Sequence, residues 1–164
     1  MFGLICGAVL CIAISFGGLV IKRKYKTNAD FMTAYVDFIA YVKTEIYNNK
    51  TPIFTIIDNY IAKETNIFTK VLKVINGNLK RDVVDNENYP KECALVDKKN
   101  IKMLISDIAS IGKYDSVTEV NKLNAILERV KVDAEKANVK YKKDGVMAFK
   151  LSVLVGIAVM IILC

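Results

Sequence analysis

Every charged side chain of this 164-residue chain lies between Lys22 and Lys150. The 21 residues before that stretch carry no charge, and neither do the 14 after it. Two uncharged apolar ends around a lysine-rich middle predict a protein anchored in a bilayer at both ends. The first run, residues 2–21, reads FGLICGAVLCIAISFGGLVI. A helix needs about 20 such residues to cross the hydrocarbon core. No basic residue precedes this run, and Lys22, Arg23, Lys24 and Lys26 follow it directly. A cleavable signal peptide has the opposite charge order, so residues 1–21 read as a retained transmembrane helix.

The C-terminal run, residues 151–164, reads LSVLVGIAVMIILC. At ~1.5 Å per residue it covers about 21 Å, short of the ~30 Å core. A span beginning at Val146, with Lys150 snorkelling to the headgroups, is long enough. The expected second span is therefore 146–164; a re-entrant or dimerising tail is the alternative. Lys and Arg near the spans set orientation. Both basic groups, Lys22 to Lys26 and Lys140, Lys142 and Lys143, lie in the middle segment. The middle is therefore expected to be cytoplasmic, with both termini outside. Gly3, Gly7, Cys11, Ser15 and Gly18 share one helical stripe on the first span, as do Ala148, Ser152 and Gly156 on the second. Such stripes either let helices approach closely or reflect the abundance of glycine in membrane helices.

The net charge of +7 belongs to the segment between the spans. Much of the excess hugs its ends, where topology and lipid attraction account for it. No basic stripe interleaved with aromatics is present, so nucleic acid is not an expected partner. The four cysteines, Cys6, Cys11, Cys93 and Cys164, form no CxxC pair, which argues against a zinc ribbon or disulfide framework. The chain has no histidine, the commonest general base and metal ligand. Phosphate-loop and dinucleotide fingerprints are also missing. No catalytic, cofactor-binding or metal-binding residues can be nominated, and neither an enzyme nor a small-molecule substrate is expected.

The middle, 27–145, patterns as helices. Phe31, Tyr35, Phe38, Val42 and Ile46 make an amphipathic stripe over 29–47. Glu45 falls on that stripe, either as an exposed rim position or as an acceptor for the start of the next helix. Thr51 suits the N-cap of that helix and Pro52 its first position; Ile53, Ile56, Ile57, Tyr60 and Ile61 mark its buried face. A third helix spans about 66–79, with Ile67, Phe68, Val71, Leu72 and Ile75 inward. From Asn76-Gly77-Asn78 to Asn88 the composition reads as a loop or a frayed helix. Pro90 opens a short helix carrying Cys93, Leu95 and Val96. The helix over 99–111 buries Ile101, Leu104, Ile105, Ile108 and Ile111, and Gly112 sits where a left-handed cap belongs. Ser116-Val117-Thr118-Glu119 is a capping box. Val120, Leu123, Leu127, Val130, Ala134, Ala137 and Tyr141 then keep strict 3-4 spacing along 117–143, either as bundle core or as an intermolecular coiled coil. Lys142-Lys143-Asp144-Gly145 is either a hinge or a straight passage into the second span. The expected fold class is all-α: a compact bundle of about five to six helices flanked by two transmembrane helices.

Three segments carry a family resemblance across nearly the whole chain. Val42-Lys43-Thr44-Glu45-Ile46-Tyr47 followed by Thr51-Pro52 is similar to a T-E-I-x-Y…T-P signature. Ile111-Gly112-Lys113-Tyr114-Asp115 is similar to an L-G-x-x-D turn, and Lys150-Leu151-Ser152-Val153-Leu154-Val155-Gly156 to the basic lead-in of a last span. In this order and with flanking spans, the chain resembles stage III sporulation protein AB. It departs at Glu119, where the family often has Gln, and at Ser152, where it often has Gly; residues 80–91 match nothing in the pattern. The resemblance implies a component of the complex linking mother cell and forespore, in the outer forespore membrane with its soluble domain on the mother-cell side. That domain is similar to the cytoplasmic domain of the type II secretion and type IV pilus platform protein. The implied partners are the ATPase, stage III sporulation protein AA, and other membrane proteins of the complex. Alternatives are a platform protein of another secretion or pilus system, or a membrane-anchored regulator.

Overall fold

The computed structural model describes residues 2–49, 51–80, 91–112 and 116–163. Among the described residues the fold is all-helical, without a strand. The α-helices are α1 (Phe2–Asn49), α2 (Ile53–Lys63), α3 (Ile67–Lys80), α4 (Lys98–Ser110), α5 (Ser116–Lys140) and α6 (Val146–Leu163). A 3-10 turn, Lys91–Leu95, precedes α4, and a π turn, Tyr141–Gly145, joins α5 to α6. Two compact units result: Asp30–Glu135, and Met1–Ala29 with Lys136–Cys164.

Where the sequence suggests a first span and a separate soluble helix from residue 29, α1 runs through both as 48 residues of helix. Residues 22–49 contain neither proline nor glycine, so nothing interrupts the i→i−4 ladder. The C-terminal passage is likewise helical, through a π turn rather than a hinge.

In the unit Asp30–Glu135, the ring of Phe68 on α3 is the centre of the core. Its centroid lies 5.3 Å from Phe31, 5.8 Å from Tyr35, 5.4 Å from Phe38 and 6.1 Å from Tyr60. Stacked, tilted and edge-on geometries at these distances add to the burial of each ring. Ile56 and Ile57 of α2, Leu72 of α3, Leu104 of α4 and Leu123 and Val130 of α5 complete an interior closed to solvent. The heptad stripe of α5 accordingly lies inside this chain, with Leu123, Leu127, Val130, Ala134 and Ala137 all buried.

Local chemistry sets the helix ends. Asn66 caps α3 reciprocally with Thr69: the Thr69 amide donates to Asn66 Oδ1 (2.9 Å) and the Asn66 amide to Thr69 Oγ1 (3.0 Å), a capping box in which threonine replaces glutamate. Asp97 caps α4 by accepting from the Lys99 amide at 3.0 Å. Beyond α4, Gly112 has φ +83°, the left-handed region that glycine enters without a Cβ penalty. Lys122 Nζ donates to the carbonyl of Ser110 in the last turn of α4, where helix carbonyls favour a cation.

The helix expected over about 66–79 is observed as Ile67–Lys80, so of the two readings of Asn76-Gly77-Asn78, loop or frayed helix, the helical one holds. Asp58 of α2 is the reason: it accepts from Asn76 Nδ2 at 2.7 Å and from Lys80 Nζ at 2.8 Å. Residues 81–88 of that expected loop, and Pro90, lie outside the described residues.

Candidate functional site

The unit Met1–Ala29 with Lys136–Cys164 is built on close backbone approach. A Cβ on Gly18 of α1 would collide with Ser152 on α6, at 2.5 Å from its Cβ, and would lie 3.2 Å from the Phe149 Cα. A Cβ on Gly156 of α6 would lie 3.0 Å from Cys11 Sγ and 3.1 Å from the Cys11 carbonyl oxygen. At Gly145, in the π turn, it would lie 3.0 Å from the Tyr25 Cβ. As the α1 positions ascend from 11 through 18 to 25, their α6-side partners descend, so the two segments pack antiparallel. The Ser152 hydroxyl is satisfied within its own helix by donating to the Ala148 carbonyl at 2.8 Å. Gly7 is buried as well; the surroundings of Gly3 lie outside the described residues.

The other faces of both segments are apolar and uncovered. Ile12 and Phe16 on α1, and Leu154, Ile161 and Ile162 on α6, are each more than 60% exposed. A continuous surface of this kind has water as an unfavourable neighbour. Among the described residues one helical stretch, Val117–Ile162, is long and apolar enough to cross a membrane by length and composition.

The unit Asp30–Glu135 carries a polar tie that the sequence reading missed. Tyr35 of α1 donates its hydroxyl to Asp107 Oδ2 of α4, and Arg129 Nη2 of α5 donates to the same oxygen at 2.5 Å. Tyr35 is closed to solvent and Asp107 is buried, whereas the Arg129 side chain is 48% exposed. Burial, with the hydrogen bond to Asp107 and its charge, pushes the Tyr35 hydroxyl far above its ordinary range; the Arg129 charge opposes this weakly. The Asp107 hydrogen bond likewise raises the Arg129 guanidinium. Tyr35 was legible as core. The available signal for Asp107 was its place between Leu104 and Ile108 on the buried face of α4: a carboxylate there needs a partner.

The motif residues from the sequence fall elsewhere. Thr44 Oγ1 donates back to the Ala40 carbonyl at 3.0 Å. Glu45 is half-buried; it accepts from Asn49 Nδ2 at 2.9 Å and, over 3.5 Å, from Thr51 Oγ1. Thr51 does not cap α2, because its hydroxyl turns to Glu45. The cap position belongs to Pro52, extended at ψ 142°, whose carbonyl accepts from the Ile56 amide at 3.1 Å. Asp115 lies outside the described residues, as does the side chain of Ser116. Glu119 is 2% exposed, and neither carboxylate oxygen has a hydrogen-bond partner among the described residues.

A model of the family described as stage III sporulation protein AB matches residues 3–164. The chain belongs to the stage III sporulation protein AB family. No curated protein and no solved structure matches it. Membership in the stage III sporulation protein AB family makes this a sporulation-related protein, and its apolar helix associates it with a membrane. Among the described residues no three histidine, cysteine or acidic side chains converge to hold a metal ion. The Tyr35–Asp107–Arg129 group contains no activated nucleophile. What it does chemically is join three helices across the core of a stage III sporulation protein AB domain.

Proposed function

We propose that this chain is a non-enzymatic platform component of the sporulation channel complex, with both ends spanning one membrane and the intervening domain, 27–145, on the mother-cell side. The observation that carries the reading is the antiparallel packing of Met1–Ala29 with Lys136–Cys164 on Gly18, Ser152, Gly156 and Cys11, beneath an apolar outer surface. Two helices packed through small residues and surrounded by aliphatic side chains suit a bilayer. Family membership supports the sporulation context. On this reading α1 supplies the N-terminal span and α6 the C-terminal one. The domain between them docks the sporulation ATPase, the stage III sporulation protein AA of the resemblance, and presents it to the membrane machinery. The comparison with the type II secretion platform that the resemblance implies is an analogy of fold only.

The test is purification of the tagged full chain from sporulating cells after mild membrane cross-linking. Recovery of the ATPase with membrane proteins of the complex is the expected result. An intact, membrane-resident chain recovered without them would overturn the platform role.

A further inference from the structure

The net positive charge of the chain comes from one of its two units. Met1–Ala29 with Lys136–Cys164 contains nine Lys and Arg and a single acidic residue, Asp144, a net of +8. Asp30–Glu135 contains the other 15 basic and 16 acidic residues, a net of −1. The whole excess therefore sits on the helices that carry the apolar surface.

Within that unit the charges gather at one end. Tyr25, against which Gly145 packs, is flanked by Lys24 and Lys26, and Gly145 follows Lys142 and Lys143. This contact brings the basic group of α1 level with the basic group of the π turn. Lys22 is held over the ring of Phe149, 5.1 Å from its centroid. Arg23, Lys24, Lys26, Lys140, Lys142 and Lys143 are exposed. Among the described residues none of these six pairs with a carboxylate. Crowded like charges with Asp144 as the one acidic residue of their unit repel one another, and they bind multivalent anions in compensation. Directly beyond them the helices become apolar, so the anion must lie where headgroups meet hydrocarbon.

We propose that this basic collar binds anionic phospholipid headgroups of the leaflet in which the helices sit, and prefers them over zwitterionic ones. The proposal rests on the membrane reading above and adds its lipid class. Basic residues at a membrane surface each strengthen attraction to anionic lipid on the order of fivefold, and the attraction fades within a Debye length.

The test uses the full chain, purified in non-ionic detergent and delipidated. Its thermal midpoint is followed by circular dichroism during titration with phosphatidylglycerol or with phosphatidylcholine of identical acyl chains. The expected result is stabilisation by phosphatidylglycerol at concentrations at least tenfold lower than phosphatidylcholine requires, with the difference shrinking as salt rises. The quadruple variant Arg23→Gln, Lys24→Gln, Lys142→Gln, Lys143→Gln should lose most of that preference, while the set with Lys24, Lys142 and Lys143 changed to Arg should keep it. Equal responses to the two lipids would overturn the proposal, as would a folded quadruple variant that keeps the preference. An equal shift with soluble glycerol phosphate would assign the site to free phosphate esters and also overturn it. Failure of the wild-type chain to float with phosphatidylcholine vesicles would instead sink the membrane reading beneath it.

Discussion

Replacing Asp107 by alanine should unfold the domain far more readily than the loss of one surface ion pair would, because of what remains behind. The Tyr35 hydroxyl is closed to solvent and has Asp107 as its acceptor. Left without it, a buried donor costs about 1–3 kcal/mol. Arg129 is half-exposed, so water takes it back and the screened ion pair contributes below about 1 kcal/mol. The expected total is about 3 kcal/mol, which for a domain of roughly 100 residues lowers the thermal midpoint by on the order of 15 °C. Tyr35→Phe alone removes one hydrogen bond to a charged group, about 2 kcal/mol. In the Asp107→Ala background the same change deletes an orphaned donor and should be neutral or stabilising by about 1 kcal/mol. The double-mutant cycle, read by urea unfolding of the full chain in detergent at pH 7.5, should therefore show a coupling of about 2–3 kcal/mol. Additivity within ~0.5 kcal/mol would refute the shared buried acceptor.

Three other outcomes are expected. Gly18→Ala should weaken the packing of α1 on α6, seen as a lower midpoint and faster proteolysis in detergent, and Ser152→Gly should restore it by removing the side chain that the new Cβ meets; no rescue would count against the packing. Gly112→Ala should cost about 1 kcal/mol because φ is +83°; an unchanged unfolding midpoint would contradict that conformation. Burial, then the charges of Asp37 and Glu64, push the Tyr60 hydroxyl up to about 12. The folded state thus holds this proton more tightly than the unfolded chain, whose tyrosines titrate near 10. The stabilisation is present below about pH 10 and lost as pH rises toward 12. Urea midpoints should fall over that interval, less steeply in Tyr60→Phe, and a flat wild-type profile would refute the sign.

Short-range signals in the sequence carried over well where their chemistry is short-range. The apolar stripes of α2, α3, α4 and α5 were legible because 3.6-residue periodicity is visible in composition alone. Asn66, Gly112 and Pro52 mark helix ends within a residue or two because capping involves immediate neighbours. Long-range polar pairing was not legible. Tyr35 and Asp107 are separated by 72 residues in sequence and Asp107 and Arg129 by 22, and the tie depends on which helix faces pack. The length of α3 was legible to within a residue, but not what holds its last turn, because Asp58 lies on another helix. The rule that a carboxylate on an apolar stripe needs a partner pointed to Glu45, which is half-buried at a helix end. Asp107 satisfied the same rule more strictly. The long α1 shows the converse: a change from apolar to charged residues at Lys22 marks a change of surroundings without ending the helix.

The π turn at Tyr141–Gly145 has a consequence for how the chain length is set. The 3-4 stripe that ends at Ala137 and Tyr141 would continue, in an uninterrupted α-helix, through positions 144, 148, 151 and 155. The small residues that meet α1 are instead Gly145, Ser152 and Gly156, one place later at three of those four positions. A π turn accommodates one extra residue per insertion, and one is the offset. It therefore acts as a phase corrector, shifting the small-residue face of α6 by the one residue that its packing on α1 uses. Shortening the chain by one residue within 142–144 should relax the turn to α-helix and keep that face in phase. Lengthening it by one should rotate the face by roughly 100°, presenting aliphatic side chains where Cys11 and Gly18 require none.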